Sequence, residues 1–121
     1  MAKKKAVPVK LTQVVVDAIL EKKGNNVVSI DLKKIKDTPS EYIIITHADS
    51  NTHVRAIYSY VLEETAKHGF LPFHTEGSKN AEWIIIDFVD VVVHIFYKEK
   101  RDFYGLEELW NDGKLTKFTS L

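Results

Sequence analysis

The chain has 121 residues, 45% hydrophobic and 28% charged, the balance of one soluble globular domain with its own core. Lys plus Arg and Asp plus Glu are both 17, so the formal net charge is zero and nothing in the bulk charge favours a polyanion. No cysteine is present, which excludes disulfides, thiol nucleophiles and thiolate metal sites and fits a reducing compartment.

The opening MAKKKAVPVKL has no long apolar core behind its lysines. It reads as a flexible N-terminus over residues 1–9 rather than a secretory signal, and it lacks the Arg and Ser richness of a transit peptide. No apolar stretch reaches the roughly 20 residues of a membrane span, so a cytoplasmic protein is expected. Leu11, Val14, Val15, Ala18 and Ile19 then form one apolar helical stripe, with Lys22 and Lys23 at its end and Gly24 to stop it. NVVSIDL (26–32) reads as a short β-branched strand, KKIKDTPSE (33–41) as a polar loop, and YIIIT (42–46) as a strand buried on both faces.

HADSNTH (47–53) offers Asp49, Ser50 or Asn51 as the N-cap of a second helix. Its stripe is Val54, Ile57, Tyr58, Val61 and Leu62, ending near Gly69. FLPFHTEG (70–77) is expected as an edge strand, because Pro72 cannot donate to a central ladder. EWIIIDF and VVVHIFY form a hairpin. KEKRDFYGLEELW (98–110) predicts one last helix with Phe103, Leu106 and Trp110 on one side, weakened at Gly105 by roughly 1 kcal/mol relative to Ala. Residues 10–110 then form a single domain and 111–121 a tail. The order of two strands, then three, with helices between them predicts one mixed sheet of about five strands flanked by helices.

The hairpin carries the unusual chemistry. With Val89 and Asp90 as a two-residue loop, residue 88 faces 91, 87 faces 92 and 85 faces 94. One face then holds Ile84, Ile86, Phe88, Val91, Val93 and Ile95 and should be the main core face. The other holds Trp83, Ile85, Asp87, Val92, His94 and Phe96. Asp87 and His94 are diagonal neighbours there, roughly 7 Å apart at the backbone. Asp90 falls in the turn, where Asp is common.

An Asp–His pair alone does not make a catalytic centre: no G-x-S-x-G elbow supplies a nucleophile, and an Asp that orients a structural His is the commoner arrangement. Gly77-Ser78 followed by two aspartates invites comparison with nucleotidyltransferases, whose D-x-D pair holds magnesium on one strand face. Here the spacing is D-x-x-D, so Asp87 and Asp90 would point apart in a strand. No P-loop or G-x-G-x-x-G occurs. The five histidines lack zinc-ligand spacing, so neither metal nor cofactor is expected. The aromatics Phe70, Phe73, Trp83, Phe96, Phe103, Tyr104 and Trp110 have only Arg55 and Arg101 among them as arginines. Core packing plus a protein-binding patch explains them better than nucleic-acid stacking.

EWIIIDFVDVVVHIFYKEKRDFYGLEELW resembles the ribosomal silencing factor, or Iojap, family. The likeness lies in Glu82-Trp83, an aliphatic strand, Asp87 and Asp90, Val91 to His94, Arg101, and Tyr104 through Trp110. Upstream, YIIITHADSNTHVRAI resembles the family's second strand and helix start, with Ser50, Val54 and Ile57, and HTEG followed by AEW also sits where the family places it. The chain departs at Val89, where the family often has Gly, and at Glu41, where it often has Asp. The resemblance implies a nucleotidyltransferase-like fold without the catalytic carboxylates and no enzymatic activity. It further implies binding to a protein of the large ribosomal subunit, the fourteenth in the usual numbering. That contact would block joining of the small subunit and repress translation under nutrient limitation. A homodimer off the ribosome and little direct RNA binding are also implied. On this reading the partner-binding residues are Trp83, Asp87, His94, Phe96, Arg101, Tyr104, Leu106 and Glu107, with Trp110 in the core. The alternative is a metal-dependent nucleotidyltransferase-like enzyme, and a third reading is a small RNA-binding module.

Overall fold

The computed structural model describes residues 10–119; the N-terminus read as flexible lies outside the described residues. In chain order the elements are α1 (Leu11–Glu21), β1 (Asn25–Asp31), β2 (Tyr42–Ala48), α2 (Asn51–Lys67), β3 (His74–Glu76), β4 (Trp83–Asp87), β5 (Val91–Tyr97), α3 (Lys98–Tyr104), α4 (Leu106–Leu109) and β6 (Lys114–Phe118). The strands form one open sheet in the order β3-β4-β5-β2-β1-β6. β2 and β5 pair in parallel and every other neighbouring pair is antiparallel, so the sheet is mixed.

β2 lies between β5 and β1 and is covered on both faces, which is why its sequence is a nearly continuous apolar run. α1 and α2 pack together on one face. Val15, Ile19, Val54, Ile57 and Val61 meet Ile44, Ile84, Ile86, Val93 and Ile95 there in the main core. Ser50 is the N-cap of α2, its hydroxyl accepting the His53 N–H at 3.0 Å. A second, smaller core on the opposite face gathers Val28, Ile30, Leu32, Ile43, Ile45 and Phe96 beneath Ile35, Leu106 and Trp110.

The hairpin register is the expected one: Asp87 faces Val92, Ile85 faces His94 and Trp83 faces Phe96. Val89 and Asp90 are its loop. The Phe88 N–H donates to Val91 O at 2.8 Å, and the Asp90 N–H donates to Phe88 O at 3.1 Å, closing a γ-turn on Val89. Val89 therefore takes φ +78°, in the region that suits glycine and strains a β-branched residue. The Asp87 carboxylate holds it there by accepting the Val89 N–H at 2.7 Å.

Three expectations are corrected. The sheet has six strands rather than about five, because residues read as tail supply β6 alongside β1. Four of its five side chains are exposed, so backbone pairing holds it and no apolar alternation announces it. The edge strand is only His74–Glu76, with Pro72 lying before it and Leu71 and Phe73 exposed. The last helix is broken in two. Gly105 takes φ +55° and its N–H closes α3 on Arg101 O, so α4 begins on a new axis. The break separates Phe103, 76% exposed, from Leu106 and Trp110, which pack inward.

Replacing Val89 with Gly should relieve the positive φ at little packing cost, since Val89 is exposed. The relief outweighs the chain entropy that Gly adds, so urea unfolding should show stability raised by about 1 kcal/mol. A loss of more than about 0.5 kcal/mol would show that Val89 makes a contact worth more than the strain.

Candidate protein-docking face

Antiparallel pairing places Trp83, Ile85 and Asp87 of β4 on one sheet face with Val92, His94 and Phe96 of β5. α1 and α2 cover the other face. On this one, α3, α4 and the loop after β1 cover only the part over β1, β2 and the end of β5. Trp83, Ile85 and Val92 are left half-buried. Gly77 lets the chain run against the start of β4: a Cβ there would lie 2.0 Å from the Trp83 carbonyl oxygen.

The rings form one cluster. Trp83 lies 5.2 Å from Phe96, 5.9 Å from His94 and 4.3 Å from Tyr104, centroid to centroid. Phe103 meets Tyr104 edge-on at 5.1 Å. The Trp83 indole N–H donates to His94 Nδ1 at 3.0 Å. An indole can only donate, so Nδ1 is the acceptor and the imidazole carries its proton on Nε2. Burial pushes the His94 pKa down to about 4, and the attraction of Asp87 only partly opposes this.

Arg101 is buried beneath this surface. Its guanidinium makes a two-pronged pair with Glu107, Nε to Oε1 and Nη2 to Oε2, both at 3.0 Å. Its Nη1 donates to Asn26 O at 2.7 Å, to Asn25 O at 3.4 Å and to His47 Nδ1 at 3.0 Å. The carbonyls belong to a bulge in β1, between Asn25 and Val28. Burial, then the Arg101 charge, lowers the His47 pKa, so this ring too is neutral near pH 7.

The eight residues singled out in the sequence thus divide. Trp83, His94, Phe96 and Tyr104 come together. Phe96 is fully buried and Arg101 nearly so, because one fills the second core and the other spends its donors inside the chain. They hold the surface and do not form it. Leu106 is half-buried in the same core, and Glu107 is turned toward Arg101. Asp87 caps the hairpin turn, and the partner of His94 is Trp83. Ile85 and Val92, which strand alternation placed on this face, were not singled out. Neither were Phe103 and Leu109, 76% and 67% exposed, whose outward position depends on the break at Gly105.

Comparison with known proteins agrees with this architecture. Residues 5–121 match the family described as "Ribosomal silencing factor during starvation". The chain belongs to the ribosomal silencing factor family. It is 36% identical over 103 residues to the ribosomal silencing factor of Halalkalibacterium halodurans, covering 85% of this chain and 87% of that one. A crystal structure of a Chromobacterium violaceum protein superposes with a TM-score of 0.81 at 26% identity, covering 95% of both chains. A mouse relative, 30% identical over 74 residues, covers 59% of this chain and 32% of its own length. It is named "Mitochondrial assembly of ribosomal large subunit protein 1".

In this silencing-factor domain, neutral His94 links stability to pH. The unfolded imidazole takes up a proton near pH 6.5, whereas the folded one resists until about pH 4. The contribution is therefore fully present above pH 6.5 and is lost as pH falls from 6.5 toward 4, by up to about 3 kcal/mol. His94→Asn keeps an acceptor for Trp83 and removes the titration, so denaturant unfolding across this window should show a shallower slope. An unchanged slope would mean that His94 is not held neutral.

Proposed function

We propose that this chain represses translation without catalysis, by docking on the large ribosomal subunit and excluding the small one. The proposed contact is the large subunit's fourteenth protein, at the subunit-joining surface. The observation that carries the reading is the uncovered end of the second sheet face. Half-buried Trp83, Ile85 and Val92 lie there, and Tyr104 is 44% exposed against Trp83. Rigid aromatics beside a packed core are the residues that anchor protein interfaces. Zero net charge supports a protein contact over free RNA.

The non-catalytic part of the reading is supported by Asp87. One of its carboxylate oxygens is engaged by the Val89 N–H, as a turn cap would be. Among the described residues no three His, Asp or Glu side chains converge to hold a metal. No helix among them is long and apolar enough to cross a membrane. The proposed setting is the cytoplasm, with a homodimer off the ribosome as the storage form.

Trp83→Ala should weaken co-sedimentation with purified large subunits at least tenfold, equivalent to about 1.4 kcal/mol, and restore subunit joining in a mixing assay. Tyr104→Ala, at a more exposed ring, should likewise weaken co-sedimentation and restore joining while leaving the fold unchanged. Small subunits serve as the control. Folded variants at both positions that bind and block like the parent, or a parent that sediments only with small subunits, would overturn the proposal.

A further inference from the structure

The covered end of the second sheet face contains a cavity of about 410 Å³, within the range of small-molecule sites. Its floor is the β1 bulge at Asn26 together with His47 at the end of β2. Its walls carry Lys98 and Arg101 from α3 and Lys117 from β6. The register puts Lys117 opposite Val28, on the face that also holds Ile45, and so directs it to this side of the sheet.

His47 is only 8% exposed and lines the cavity. Its Nδ1 receives the Arg101 N–H, so its proton sits on Nε2. Among the described residues that N–H has no partner, so it is available to a ligand in the cavity. Arg101 and Glu107 neutralise each other, and Asp102 on the rim offsets one of the two lysines. A positive charge and an unspent donor therefore remain around a space too large for a single water.

We propose that this cavity binds a phosphate-bearing metabolite, with Lys98 and Lys117 meeting the phosphoryl oxygens and His47 Nε2–H donating to the ligand. Two flexible ammonium groups suit a phosphate as point charges. The volume leaves room for an organic portion beside it. α3 carries both Arg101, which lines this cavity, and Tyr104, which meets Trp83 on the docking face.

The full chain should be titrated with inorganic phosphate, pyrophosphate and AMP at matched ionic strength, while the His47 imidazole signals are followed by NMR. Saturable shifts at His47 are expected with at least one probe. The exposed pair Lys98→Ala/Lys117→Ala should weaken that binding about tenfold or more with an unchanged amide spectrum. AMP bound about tenfold tighter than phosphate would assign a nucleotide-like ligand, and equal affinity would assign the free anion. No saturable shift at His47 with any of the three, or the same affinity in the double variant, would overturn the proposal.

Discussion

A single buried guanidinium ties the two short helices after β5 to the sheet. Arg101 reaches from α3 to the carbonyls of the β1 bulge, to His47 on β2 and to Glu107 on α4. Helices of seven and four residues are too short to persist on their own. They keep their place through these bonds and through Leu106 and Trp110, which pack on the second core. A lysine could supply the charge at position 101 but not the fork that matches both Glu107 oxygens. The placement of Tyr104 against Trp83 therefore depends on a residue that a partner cannot reach.

The two sheet faces then divide the work. One is closed by α1 and α2 and carries most of the core. The other is closed only beneath α3, α4 and the loop after β1, leaving Trp83, Ile85 and Val92 half-covered. Within this patch His94 Nε2–H is left for water or a partner's acceptor, while the Trp83 indole N–H and His94 Nδ1 satisfy each other. Covering the patch would thus bury apolar surface without stranding that donor or acceptor, which favours association through area and shape rather than ion pairs.

Much of the fold was legible from periodicity. The stripes of α1 and α2, the buried run of β2, a cap for α2 within Asp49 to Asn51 and the sorting of the hairpin into two faces follow from local rules. Elements held by tertiary contacts were not legible. β6 pairs through its backbone and shows mostly exposed side chains, so it reads like a tail. Gly105 was expected to weaken one helix, whereas the packing of Leu106 and Trp110 uses it to end that helix. At the site, Trp83 and Tyr104 could be chosen as large aromatics. That Arg101 and Phe96 turn inward could not, because both depend on partners far away in sequence. Asp87 shows the limit of spacing arguments. Its nearness to His94 is real, yet its carboxylate bonds two residues along its own chain.

On the proposed function, the uncovered end of the second sheet face meets the large ribosomal subunit. Hydroxyl-radical footprinting of the protein, free and bound to purified large subunits, tests it most directly. Phe103 and Tyr104 should lose reactivity on binding, while Tyr60 on α2 keeps the reactivity it has in the free protein. Protection of Tyr60 with Phe103 and Tyr104 unchanged would place the contact on the helical face and contradict the account.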